Sequence, residues 1–541
     1  MYVTNPDRQR LCPIVACLLL CLAPLAAAAA DSAAHAAGEG AAFSHESVIA
    51  QARTLAASPY APPLEIPETL EALDYDTYRS IRYRKDRAIH FDGAERFSAE
   101  LFAPGFLFGA GVDLFVVADG QARPLLPDAG SFEAPSPEIA DAIAAFGRFA
   151  GFRLHYPINE PLTGSDYADE FVVFQGASYF RAVSRGQHYG LSARGLALSV
   201  AQRQGEEFPV FRRFWIEPMA DEPNGIIVHA LLDSPSVAGA WRFEISPGLV
   251  TIMDVSVTLF PRRALTHVGF APLTSMFMHG PMDGPDVPDY RPAVHDSDGI
   301  SLLTGAGEWI YRPLSNPRSL QVSAFRDSTP RGFGLVQRSR EFDHFEDLEA
   351  RYEARPSAWV EPRGDWGPGH VDLVEIPSAS EANDNIVAYW RPQLEVPAGE
   401  PFAYAYRLSW PDRVARRHGI SQVRRSALGR NLQTGLPQVA IDWDTSGLPA
   451  DVTLSAVATA SAGRVQETLV QKNEKTGGTR VFVTFAPGRA TLVELRVELR
   501  VELRADAAVE ASGDVDENGA GDAERTERQL GEIWLYRWLA E

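Results

Sequence analysis

An all-β protein of two sandwiches is the fold class this sequence predicts, and three observations predict it. Short runs rich in Val, Ile, Phe and Tyr, bounded by Gly, Pro or Asp, recur at strand-and-turn spacing from about residue 81 onward. The chain holds 43 Gly and 39 Pro, which supply many turns, and 45% hydrophobic residues, enough for a packed core. At 541 residues it is too long for a single core, so two or more domains are expected. No internal repeat of about 20–50 residues is visible, which argues against propellers and solenoids.

Taken in order, the chain opens on a processing signal over residues 1–30. Arg8 and Arg10 precede an apolar run, and the alanine tract ending at Ala30 offers small residues for cleavage. The run is too short for a span of about 20 residues, so no stable membrane insertion is expected once it is removed. All three cysteines (Cys12, Cys17 and Cys21) lie inside it, so the remaining chain has no thiol, disulfide or cysteine metal site. Residues 31–42, rich in Ala and Gly, read as a disordered lead-in. Ser44 then caps a helix over 43–56 with Val48, Ile49, Ala52 and Leu55 on its apolar side, and a second amphipathic stretch covers 70–79.

Strands are expected over 96–102, 113–117, 152–156, 226–232, 241–245, 250–260 and 320–325, forming a large antiparallel sandwich over 43–393. Pro392, Pro397 and Gly399 mark a boundary, and 394–541 reads as an immunoglobulin-like sandwich with strands over 402–410, 438–443, 452–457 and 479–485. The triple Val-Glu-Leu-Arg repeat from Val493 to Arg504 alternates apolar and charged residues at period two, which makes it a half-buried strand. Residues 505–527 carry eight acidic groups against one arginine and read as a disordered loop before a closing strand over 532–538.

The formal charge of −21 argues against a nucleic-acid or anionic-membrane partner. No phosphate-cradling glycine loop, no zinc-peptidase motif and no complete calcium loop appears, so neither cofactor nor metal is expected. Gly190-Leu-Ser-Ala-Arg194 lacks the closing glycine of a nucleophile elbow, and Ser192 reads as a turn residue. Tyr290-Arg-Pro-Ala-Val-His-Asp-Ser-Asp-Gly299 gathers His295, Asp296 and Asp298 in an irregular loop, and Glu381-Ala-Asn-Asp-Asn385 is a second polar run feeding an apolar strand. Aromatic and arginine residues between Tyr179 and Trp390 suit a saccharide, whose rings stack on flat faces and whose hydroxyls bond to polar groups. About a third of those aromatics are expected to line a cleft, the rest being core.

Ordered blocks along the chain resemble the periplasmic glucan biosynthesis proteins of Gram-negative bacteria, the osmoregulated periplasmic glucan G/D family, and most nearly its G branch. They include Gly176-Ala-Ser-Tyr-Phe-Arg181, Tyr189-Gly-Leu-Ser-Ala-Arg-Gly-Leu196, Ala271-Pro-Leu-Thr-Ser-Met-Phe277, His295-Asp-Ser297, Arg355-Pro-Ser-Ala-Trp359 and Asp384-Asn-Ile386. The resemblance implies a galactose-mutarotase-like N-terminal β-sandwich, an immunoglobulin-like C-terminal domain, a periplasmic location and β-1,2-glucan as substrate. It further implies an inverting endo-β-1,2-glucanase or transglycosylase, with Asp384 as general acid and Asp296 as general base. Inversion needs about 6.5–9.5 Å between such carboxyls, and a relay through a sugar hydroxyl would lengthen that. Glu381 is the neighbour expected to keep Asp384 protonated, Tyr352 and Arg355 match positions beside the cleaved linkage, and His295 is expected to tune Asp296 or to bond the backbone. The alternative is a non-catalytic glucan-binding factor that assists a membrane-bound glucan synthase. A homodimer is left open.

Overall fold

The computed structural model describes residues 42–285, 288–414, 420–448, 452–502 and 527–540. The expected signal over 1–30, nearly all of the lead-in and nearly all of the acidic loop lie outside these residues. Ala42, the last residue of that lead-in, bridges Gln121.

Two sheets, one of eleven strands and one of fifteen, carry most of the chain. Alternation explains how they meet. In Ile226–Asp233, Ile226, Val228, Ala230 and Leu232 point into the core between the sheets. Leu231 points the other way, against the helix His45–Ala56, which Ser44 caps as the sequence predicts. That helix lays Val48 and Ala52 on Phe115, Trp215 and Leu231, so the middle of the larger sheet is covered on both faces. The expected stretch over 70–79 is two short helices, Glu68–Glu71 and Tyr75–Ser80. A further helix, Pro137–Phe146, carries a Ser136 cap, a proline at its start and a left-handed Gly147 after its end.

The smaller sheet holds the candidate site. Its antiparallel order from one edge is Ile89–His90, Ser98–Phe102, Gly151–Tyr156, Asp169–Gln175, Tyr179–Ala182, Ser192–Arg194, Val268–Ser275, Ile386–Pro392, Gly369–Glu375 and Gln321–Asp327. Phe152, Phe174 and Phe180 face the core, which leaves Arg153, Val173 and Arg181 in a row on the opposite face.

Toward the C-terminus, Val423–Arg430, Pro437–Trp443, Gly478–Ala486 and Arg464–Asn473 form a four-stranded sheet. It packs Val439, Ile441, Val481 and Val483 on Val493, Leu495, Val497 and Trp534. The described part of the Val-Glu-Leu-Arg repeat lies in the strand Leu492–Glu502, with Val493, Leu495, Val497, Leu499 and Val501 buried and Arg496, Glu498 and Arg500 paired along the other face. Two differences from the expected organisation stand out. Phe402–Ser409, read as the first strand of the C-terminal unit, lies between Ile252–Pro261 and Ala358–Arg363 in the large sheet, because Tyr404, Tyr406 and Leu408 complete the N-terminal core. The last strand, Ile533–Leu539, pairs in parallel with Trp309–Pro313, so the C-terminal strands continue the same large sheet.

Candidate active site

The outward face of the smaller sheet sets out the first half of the site. Phe180 and Ala193 enter the core, so Tyr179, Arg181, Ser192 and Arg194 project from the other side. The Arg181 Nε donates to the Ser192 Oγ at 2.7 Å. Ser192 is therefore a strand residue that orients an arginine, where the sequence suggested a turn. The Arg194 guanidinium covers the Tyr179 ring at 5.0 Å and pairs with Glu206.

Asp296 enters from the neighbouring loop. It follows the short strand Val294–His295, whose His295 pairs with Phe277, and its backbone N–H donates to the Met276 carbonyl at 2.9 Å. The carboxylate is buried, and its Oδ1 accepts from Arg355. Burial lifts this carboxyl above the ordinary aspartate value, against the pull of Arg355, and the charge of Asp384 adds to the lift. The Oδ2 accepts no hydrogen bond among the described residues. Arg355 lies over the Tyr352 ring at 4.3 Å and donates from Nε to the Ala350 carbonyl at 3.0 Å.

Asp384 stands on the turn before Ile386–Pro392, and it is Asn385 that aims it. The Asn385 side chain is buried, accepts from the Phe277 N–H at 2.8 Å and donates to the Phe277 carbonyl at 2.9 Å. Phe277 is the register partner of His295, so one backbone residue is tied to the neighbours of both aspartates. The Asp384 charge reaches Asp296 on one side and the Tyr179 hydroxyl on the other. The two carboxylates, distant in sequence, thus share one electrostatic environment. Asp384 itself is exposed.

The other expected site residues divide. Glu381 accepts from the Tyr352 hydroxyl at 3.1 Å and from Arg291 at 2.9 Å. Its charge is engaged there. Arg291 is held in turn by Asp289 and Asp347, each at 2.9 Å. The His295 ring, expected to tune Asp296 or to bond the backbone, is 1% exposed and lies between Phe277 and Phe345. Burial and the nearby His344 and His279 hold it neutral, far below the usual histidine range. Asp298 accepts from the Tyr311 hydroxyl and the Arg338 N–H, at the joint with the C-terminal strands rather than at the site. Of the aromatics, Trp215, Trp309 and Trp359 are buried in cores, whereas Tyr179 and Tyr352 lie beside the aspartates.

Two positioning residues went unread in the sequence. Asn385 could have been suspected from the Asn-Asp-Asn run. Gln337 carries no such signal: its buried side chain donates to the His295 carbonyl at 2.9 Å and the Tyr352 carbonyl at 3.3 Å, fastening the Asp296 loop to the Arg355 loop.

Comparison with known proteins agrees with the resemblance noted above. The family model "Periplasmic glucan biosynthesis protein, MdoG" matches residues 43–510. Glucans biosynthesis protein G 2 of Shewanella oneidensis is 45% identical over 500 residues, covering 92% of this chain and 89% of that protein. Glucans biosynthesis protein G of Vibrio cholerae is 43% identical over 501 residues (92% and 87%), and that of Rhodopseudomonas palustris 41% over 527 (95% and 97%). Among solved structures, a galactose mutarotase related enzyme from Lactobacillus acidophilus aligns over 45% of this chain and 99% of its own at 9% identity and a TM-score of 0.20. Such a score defines no shared fold, and the all-β architecture rests on the sheets themselves. The match over most of its length and the identity to these relatives establish that the chain belongs to the periplasmic glucan biosynthesis protein family, MdoG.

Proposed function

We propose that this protein acts in periplasmic glucan biosynthesis by remodelling a β-1,2-glucan backbone, as an inverting endo-hydrolase or transglycosylase. The observation that carries the reading is the Asp384 charge acting on the buried Asp296 carboxyl and on the Tyr179 hydroxyl, beside Arg181, Tyr352 and Arg355. Asp384 donates a proton to the departing glycosidic oxygen. Water, or an acceptor hydroxyl in transglycosylation, attacks the anomeric carbon from the opposite face and gives up its proton toward Asp296. A carboxylate raised by burial is a stronger base than a solvated one, and the free Oδ2 leaves a place for that proton. A glucan lying over Asp384 strips water from its carboxyl, and the facing Asp296 charge then favours the acid form.

The second reading is a glucan-binding factor that assists a membrane-bound synthase without cleaving. It draws support from the exposure of Asp384 and from the ion pair already engaging Asp296. Incubation of the purified protein with linear β-1,2-glucan separates the two. New reducing ends of inverted anomeric configuration, absent in Asp384→Asn, support the enzyme. Binding without product supports the factor, and absence of both removes glucan from the account.

A further inference from the structure

The row of outward residues that leads through Arg181 continues away from the aspartates to Val173, Arg153 and Glu100. At roughly 4.8 Å per strand, Arg153 lies about 10 Å beyond Arg181. There a cavity of about 430 Å³ opens between the sheet and the segment from Tyr78 to Lys85.

Its charge is at odds with the rest of the molecule. In a chain of formal charge −21, Arg79, Arg82 and Lys85 line this cavity, and none has a carboxylate partner among the described residues. Glu133 stands opposite Arg82 in the strand register and makes no ion pair with it. The basic residues of the same segment that do not line the cavity are neutralised: Arg84 pairs with Asp86 at 3.0 Å and Arg87 with Asp128 at 3.7 Å. The one carboxylate lining the cavity, Glu100, is engaged by Arg153, which also holds Glu170 at 2.8 Å. Tyr78 and Tyr83 also line it, and the Gln175 amide donates to the Tyr78 hydroxyl at 3.2 Å.

Three unpaired cations beside aromatic rings and an amide form a receptor for a phosphate or carboxylate group, with room for a body the size of a sugar. We infer that this cavity is an anion-binding subsite, occupied by a small free anion or by an anionic group carried on a saccharide lying along the same sheet face. The saccharide arm rests on the glucan reading above; the anion chemistry does not.

Calorimetric titration of the full chain with glucose, inorganic phosphate and glucose 6-phosphate tests it, at low and raised salt. Both phosphates are expected to bind and glucose alone to bind far more weakly. Affinity is expected to fall at least about tenfold in the triple variant Arg79→Ala/Arg82→Ala/Lys85→Ala, the equivalent of losing one charge-assisted contact. Tighter binding of glucose 6-phosphate identifies an anionic saccharide as the ligand, and equal binding identifies a free anion. The inference is overturned if neither phosphate exceeds glucose, or if the triple variant binds both like the parent. All three side chains are exposed, so circular dichroism should show the variant folded. Cleavage of unsubstituted β-1,2-glucan, followed in the same preparations, reports on the aspartates separately, so failure of one reading is not mistaken for failure of the other.

Discussion

Arg338–Glu532 and Arg355–Asp296 join the same kinds of group in one molecule, and they are finished differently. Arg338 and Glu532 meet through two contacts, at 2.7 and 2.8 Å, with side chains 6% and 0% exposed. The Val423 N–H donates to the same carboxylate at 2.8 Å, and the Tyr311 ring lies 3.6 Å from the guanidinium. Both carboxylate oxygens are occupied, and the pair fastens the large sheet to the last strand. Arg355 reaches only one oxygen of Asp296, and the other accepts no hydrogen bond among the described residues, with the Asp384 charge acting on the group. A closed pair is a fastener, whereas an open pair keeps chemistry available at some cost in stability.

Substitutions can break or sharpen that contrast. The largest effect is expected on the open side: Asp384→Asn or Asp296→Asn should lower glucan cleavage by about 10²–10⁴-fold, the usual worth of a positioned acid or base, while the melting temperature of the exposed Asp384→Asn changes little. Product assays beside thermal melts check both halves. On the closed side Glu532→Gln leaves the Arg338 charge buried and poorly matched, at about 3–5 kcal/mol by urea denaturation, with cleavage per folded molecule retained. Asn385→Ala falls between the two kinds. It strips both backbone groups of Phe277 of their partner for about 1–3 kcal/mol, and it should lower kcat more than it raises KM because Asp384 loses its aim.

A smaller effect is a matter of pH. The folded protein holds the Asp296 proton more tightly than an unfolded chain does. The stability due to this group is therefore complete below the ordinary aspartate value and is lost as pH rises through the raised one. Asp296→Asn should match the parent in acid and overtake it on the way to neutrality, a crossing that melting curves at stepped pH would reveal. Smallest of all, Glu498→Gln on the exposed face of the repeat strand should cost less than about 1 kcal/mol, since solvent screens its partners Arg496 and Arg500.

What could be read from the chain beforehand follows the range of each signal. Period-two alternation is local, so the strands at Ile226 and Val493 were legible, as was the helix behind Ser44. The helix after Ser136 announces itself with serine, proline and a closing glycine, and was passed over amid strand signals. Phe402–Ser409 was legible as a strand but not as a member of the N-terminal core, because partner choice depends on which apolar face is left uncovered by distant residues. Asp296 and Asp384 were found through resemblance, for nothing in their spacing says they approach. Gln337 is out of reach for the same reason: a side-chain amide that bridges two carbonyls is defined only once the backbone has folded around it.

The parallel pairing of Ile533–Leu539 with Trp309–Pro313 has a consequence for how the molecule comes into being. Until Ile533–Leu539 is in place, Trp309–Pro313 exposes on that side a bare margin of peptide groups, ready to seize any passing strand. A variant lacking Ile533–Leu539 would be left with an open, adhesive seam in the middle of its largest sheet.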